Sequence, residues 1–323
     1  MNSESQVSRK GFSLIEMLVV MGILAILIAA LLPMLGGSRD SAMNAKCQNN
    51  LRNLAQAVHS WAQSRSDNLG HFPSAGLYRT IDIHARKKSY YAHRPWISNK
   101  GDVSKLNGHT GSASDLGSVV HFTDNENDCR NAITNGAVWQ GIGASFEVYR
   151  CPVHAQAFEQ KFKHQPGWSY MMNQEFGYNA QNGKSMSFYG SSINGSIRVA
   201  TGTSGRRGDG EASRTPDKVL LFAEVQGVDV DYRKGSSSVS LQAVSGGGDD
   251  TDAVLEYAKE SMGFNHKLGK FKYGGNVAFA DGHVETIVYP TGMSSKDLTR
   301  YLCQGYDVPH DGRAYNPSTA DKK

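Results

Sequence analysis

Glu16 is the only charged residue between Phe12 and Leu32, in a stretch that is otherwise almost wholly apolar. A carboxylate inside such a run needs a cation, because an uncompensated charge in hydrocarbon costs about 2.5–3.5 kcal/mol at the centre of a span and less toward its end. No basic side chain follows Glu16 within two turns; Arg9 and Lys10 precede it. Snorkelling toward lipid headgroups is the plainest role for a lone acid there.

A second set of reactive types lies near the other end of the chain. His266, Asp281 and His283 could meet around a turn as metal ligands or as an acid–base pair, since imidazole and carboxylate are common ligands. An Asp-Gly turn carrying an exposed histidine is the plainer alternative, because short motifs match readily by accident. Cys47, Cys129, Cys151 and Cys303 have no metal-ligand spacing and allow three disulfide connectivities. Cys129 and Cys151 are close in sequence, and an exported domain can oxidise them. That pair is the expected bridge, with Cys47 equally able to be a buried thiol. The run GGGDDTD at 246–252 offers hard oxygen donors for calcium but lacks the ligand spacing of a calcium loop, so a solvated turn is expected and no cofactor is implied.

HARKKSYYAHRPW (84–96) and HKLGKFKYGG (266–275) interleave basic and aromatic residues as single-strand nucleic-acid surfaces do. The formal net charge is only +4, and removal of residues 1–11, which hold Glu4, Arg9 and Lys10, leaves +3. So mild an excess singles out no acidic partner, and nucleic acid is not expected. The Arg-Gly-Asp within RRGDG (206–210) reads as chance in a glycine-rich loop. No nucleophile elbow, phosphate loop or dinucleotide fingerprint is present. A non-enzymatic chain is expected.

The elements that must position these groups follow from periodicity. Roughly 20 apolar residues cross a bilayer, so residues 12–33 read as a transmembrane helix. A secretory signal would have a shorter apolar core followed by small residues, whereas this run ends Leu31-Leu32-Pro33. Arg9 and Lys10 put the amino terminus in the cytoplasm and everything beyond Pro33 outside. Residues 34–66 continue as an amphipathic helix. Cys47, Leu51, Leu54, Ala55, Val58, Trp61 and Ala62 recur at steps of three and four, and Pro33 would kink rather than end the helix.

From 67 to 305 glycine, serine, asparagine and aspartate become frequent, and short strand-like pieces follow at GAVWQGI, SFEVYRCP, DKVLLFAEV and GNVAFADGHVETIVY. The last reads as a hairpin turning at Asp281-Gly282. An irregular insertion is expected over about 71–135 and a disordered tail over 306–323. The expected class is α+β, a long amino-terminal helix packed on a carboxy-terminal antiparallel head.

Lys10-Gly11-Phe12-Ser13-Leu14-Ile15-Glu16 followed by an apolar run resembles the type IV prepilin leader junction. The resemblance implies a leader of residues 1–11, a cut by a prepilin peptidase after Gly11, N-methylation of Phe12 by the same enzyme, and a role for Glu16 in assembly. It also implies the lollipop layout of type IV pilins and of type II secretion pseudopilins. The expected partners are then other pseudopilin subunits in a homo- or hetero-filament, an inner-membrane assembly platform and membrane lipid. The chain would be single-pass in the inner membrane, with its head periplasmic or extracellular. CQNNLRNLAQAVHSWAQ, YRCPVH, SYMMNQEFGYN and GNVAFADGHVE, with His266 ahead of Asp281-Gly282, resemble the large planctomycete-type prepilin-like proteins with a carboxy-terminal His...Asp-Gly motif. The alternative to a filament subunit is a membrane-tethered module that uses this anchor only for export, its head binding a glycan, DNA or another ligand.

Overall fold

The three-and-four spacing after Met43 produces the helix it predicts. In the computed structural model, α1 runs Leu14–Ser64, and Cys47, Leu51, Leu54, Ala55, Val58 and Ala62 are all exposed by 1 % or less. The structure describes residues 13–64, 72–73, 75, 96–97, 126–162, 167–173, 175–178, 188–189, 197–200, 211–225, 229–230, 239–240, 253–255, 261–269, 272–289 and 294–306, with the side chains of 30–36, 126, 128, 160–162, 177–178, 188–189, 198–200, 211–213, 229–230, 239–240 and 254 outside the description. The chain divides into two compact units, Met1–Ala42 and Met43–Lys323.

In the first unit the described apolar side chains face outward all round the helix. Leu14 is 92 % exposed, and Ile15, Met17, Leu18, Val19, Val20, Met21, Ile23, Leu24, Ile26, Leu27 and Ile28 are exposed as well. Among the described residues no helix is long and apolar enough to cross a membrane. The expected span of 12–33 falls partly outside the described side chains, which stop at Ala29 and resume at Gly37.

The second unit is α+β. Helix α2 (Glu126–Thr134), two short 3-10 turns at Gln140–Ile142 and Phe146–Tyr149, and α3 (Pro152–Phe162) lead into the strands. These are β1 (Tyr170–Asn173), β2 (Gly177–Tyr178), β3 (Phe188–Tyr189), β4 (Ile197–Ala200), β5 (Glu211–Arg214), β6 (Leu220–Glu224), β7 (Asp229–Val230), β8 (Val239–Ser240), β9 (Val254–Leu255), β10 (His266–Gly269), β11 (Lys272–Phe279) and β12 (Val284–Val288). Helix α4 (Ser295–Cys303) closes the described chain.

The main sheet is centred on β11. Along one edge runs β12; the other is shared by β10, opposite Lys272–Gly274, and β6, opposite Val277–Phe279. The sheet continues from β6 to β1 and then β9, the β1–β9 pair alone being parallel among the described strands. Strands β2 and β3, β4 and β5, and β7 and β8 form separate antiparallel pairs.

The apolar stripe of α1 from Cys47 onward and the inner residues of β1, β6 and β11 belong to one buried cluster. Its aromatic centre includes Trp96, Tyr149 and Phe222; the Trp96 ring lies 5.8 Å from Tyr149 and 4.9 Å from Phe222.

Two of the expected strands are corrected. GAVWQGI and SFEVYRCP fold as turns and 3-10 helix: Trp139 takes right-handed helical backbone at φ −52°, ψ −45°, and the left-handed Gly143 (φ +68°) and Ala144 (φ +56°) make the turn between the two pieces. Tyr306, the first residue of the expected tail, is ordered against the head: its ring packs 5.5 Å from Tyr301 with the Arg214 guanidinium 4.6 Å above it. Residues 307–323, like the expected calcium-type run 246–252 and the Arg-Gly-Asp at 206–210, lie outside the described residues.

Close backbone approach explains one glycine of the hub strand. A Cβ on Gly275 would collide with the carbonyl oxygen of Gly263. The obstruction is backbone, so no rotamer change relieves it. Gly275→Ala is expected to destabilise the head by about 1–3 kcal/mol, the usual range for overpacking, read as a lower midpoint in urea at unchanged slope.

Candidate functional site

The amino-terminal segment is built by its own sequence. Ser13 stands just before α1 and Glu16 three residues later, the spacing of a capping box. The Ser13 hydroxyl accepts from the Ile15 amide at 3.2 Å, and Glu16 Oε2 accepts from the Ser13 amide at 2.8 Å. The Met17 amide donates to the Ser13 carbonyl at 3.3 Å. Amides at a helix start have no intrahelical acceptor and the helix dipole favours a negative charge there, so the carboxylate is stabilised locally. Glu16 is therefore not a stray charge: it holds the first turn and presents an acid at the head of the exposed apolar helix. Gly11 and Phe12 lie outside the described residues.

The second site is buried in the head and follows from strand register. Tyr170 lies opposite Glu224, and Ala223 opposite Val277, so Asn276 neighbours Glu224 on the same face of the sheet. That face looks onto α1: Asn276 donates to Asn44 Oδ1 at 2.8 Å, and the Tyr170 hydroxyl points at Cys47 Sγ at 3.3 Å. His266, the first residue of β10, reaches the same spot because it pairs with Gly274 on the edge that β6 also uses. Its Nε2 lies 2.8 Å from Glu224 Oε1 and 3.6 Å from Cys151 Sγ.

Glu224 is fully buried and is held by donors. Asn276 Nδ2 donates to Oε1 at 2.9 Å and Asn265 Nδ2 to Oε2 at 3.4 Å. Nδ1 of His266 is buried and has no protein partner. Burial pushes the Tyr170 hydroxyl well above its usual range, the Glu224 charge adds to this, and a hydrogen bond with Asn50 opposes it. Tyr170 is thus held as a donor.

One sequence expectation is corrected here. The disulfide joins Cys47 to Cys151, whose Cα atoms are 5.1 Å apart, and not Cys129 to Cys151. Cys129 is a buried thiol in α2. Nearness in sequence misled, because a bridge needs Cα atoms within about 7 Å, and the helix register of α1 delivers Cys47 to Cys151 across 104 residues.

Of the two readings of His266, Asp281 and His283, the structure has the plainer one, the turn, and His266 lies elsewhere. His266 pairs near the start of β11 whereas Asp281 follows its end, roughly 20 Å along a strand. At the hairpin tip Asp281 Oδ1 accepts from the His283 amide at 3.0 Å and lies 2.6 Å from its Nδ1, while the His283 ring stacks on Phe279 at 4.3 Å. Gly282 takes φ +96°, next to the His59 ring of α1. This is a turn whose aspartate caps its own backbone.

Of the basic-aromatic runs, Trp96 is buried with its Nε1 donating to the Ala253 carbonyl at 2.9 Å, so it offers no stacking face. Glu224 was the residue that sequence reading missed. The signal was present: it is the lone acid within the apolar run Val219–Val225.

A further buried polar pair contributes to acid stability. His154, in α3, lies 2.8 Å from the Ser169 hydroxyl. Its pKa is pushed down to about 4 by burial. The unfolded chain then binds the proton near pH 6.5 and the folded chain only near 4, so this contribution is complete above pH 6.5 and is lost as the pH falls toward 4. It amounts to about 3 kcal/mol. His154→Gln, which does not titrate, is expected to remove that part of the slope, measured as the difference in thermal midpoints between the two proteins from pH 7 to 4.5.

The family model described as the prokaryotic N-terminal methylation motif matches residues 7–32, the segment that holds Gly11, Phe12 and Glu16. No curated protein and no solved structure matches the chain. The motif supports a prepilin-like protein.

Proposed function

We propose that the chain is a prepilin-like subunit, cut between Gly11 and Phe12, methylated on Phe12, and assembled through the exposed apolar part of α1 into a pseudopilus or pilus-like filament of a type II secretion or related system. The observation that carries this reading is the methylation motif over residues 7–32. Its supports are the all-round apolar surface of α1 from Leu14 to Ile28, which needs lipid or other helices to cover it, and the acid held at its head. The domain reading follows: leader 1–11, membrane helix 12–33, amphipathic helix 34–66 and head 67–305. In this reading the segment spans the inner membrane once, amino terminus inside, with the head outside and packed on the helix as in pilins.

Cutting would place a new ammonium on Phe12, one residue before the amide that now binds Glu16. The acid could then pair with its own amino terminus or with that of a neighbour. Intact-mass measurement of the chain made beside a prepilin peptidase tests the processing step. The expected mass begins at Phe12 and carries one added methyl group; a mature chain starting at any other residue would contradict the reading.

A further inference from the structure

Cys47, Cys151, Glu224 and His266 each place one ligand atom within 4.8 Å of all the others, and all four are buried. They arrive from α1, the residue before α3, the end of β6 and the start of β10. A disulfide accounts for the sulfurs alone. It gives no reason for a carboxylate and an imidazole to be buried against them, although both are costly to withdraw from water.

We propose that, with Cys47 and Cys151 as thiols, these four side chains form a closed structural zinc site. The donors select the metal: two sulfurs and an imidazole suit Zn2+, whereas Ca2+ and Mg2+ require oxygen shells. Four protein donors leave no open position, so the role is to fasten the amphipathic part of α1 to the sheet rather than to activate water. The surroundings supply the outer contacts such sites use: the Tyr170 hydroxyl on Cys47 Sγ, and Asn265 and Asn276 on Glu224.

Zinc binding releases the two thiol protons to solvent. In the zinc-bound form His266 carries its ring proton on Nδ1, leaving Nε2 free for the metal. An unpartnered Nδ1–H is a small cost beside the free energy of a four-ligand zinc site. No reductant is needed, because the chain is synthesised with thiols. The disulfide is the competing fate, formed when an oxidant such as a thiol oxidoreductase removes two electrons and two protons from the same sulfurs. The proposal is independent of amino-terminal processing.

The test is zinc content of the full-length chain purified in detergent with its thiols kept reduced. One zinc per chain is expected after gel filtration, and substitution by Co2+ should give thiolate-to-cobalt charge-transfer absorption. Cys129→Ser with Cys303→Ser should retain the metal, while Glu224→Gln and His266→Gln should each weaken binding by about tenfold or more. A reduced wild-type chain with the circular dichroism of the oxidised protein but no retained zinc would overturn the proposal. So would zinc retention unchanged in the Cys47→Ser, Cys151→Ser variant, or cobalt bound without the thiolate band.

Discussion

Glu16→Leu is expected to leave cutting between Gly11 and Phe12 intact and to reduce incorporation into filaments by roughly tenfold or more. The scissile bond is unchanged, and loss of a charge makes membrane insertion easier, so a precursor defect is not the expected cause. Assembly is different. Two unit charges 4 Å apart attract by about 1 kcal/mol in water but by about 4 kcal/mol at an effective dielectric near 20, so a pair between the carboxylate and a Phe12 ammonium gains strength as helices bundle and exclude solvent. Such a buried pair also fixes axial register, as polar residues do in coiled coils.

In the full-length chain, Glu16 Oε2 is occupied by the Ser13 amide at 2.8 Å. The cap holds the carboxylate at the helix start, where the new terminus would be created. N-terminal masses and the sheared filament fraction, compared for variant and wild type, separate the two steps. Normal incorporation of the variant alone would mean that Glu16 serves only as a helix cap.

Replacement of Gly11 by a bulky residue such as Leu is expected to abolish processing altogether. A peptidase that cuts beside this position must seat its side chain, and glycine presents none. The expected product is the longer chain that keeps residues 1–11, with an unmethylated amino terminus, seen by intact mass. Efficient cutting of Gly11→Leu would remove Gly11 from the recognition element and move the site elsewhere.

Legibility of the fold depended on how local each signal was. The stripe of Cys47, Leu51, Leu54, Ala55, Val58, Trp61 and Ala62 is a property of consecutive turns, and all but the half-buried Trp61 are buried. The Asp281-Gly282 hairpin was equally local: Ala278 pairs with Val284 across it. Helix α4 could have been read from Ser294, whose hydroxyl accepts from the Asp297 amide at 3.0 Å, with Leu298 and Leu302 buried on one face.

The buried centre was not local. Its members are joined only because β6 and β10 share one edge of β11, and because α1 lies across that face through Cys47 and Asn44. Nearness in sequence therefore points Cys151 to Cys129 instead of Cys47, and nothing local points His266 to Glu224. The capping role of Glu16 was legible in the spacing Ser13-Leu14-Ile15-Glu16, but the apolar run drew attention to lipid rather than to the helix start.

Polymerisation separates a filament subunit from a tethered module, and cross-linking in native membranes measures it. Cells that make the chain with its peptidase are treated with a short cross-linker, in the presence and absence of the cognate assembly ATPase, and the products are sized. The filament reading predicts a ladder of chain multiples, alone or with other processed subunits, that depends on the ATPase and disappears in Glu16→Leu. A chain correctly cut to Phe12 that stays a monomer under both conditions would contradict it, and would leave the amino-terminal segment as an export anchor alone.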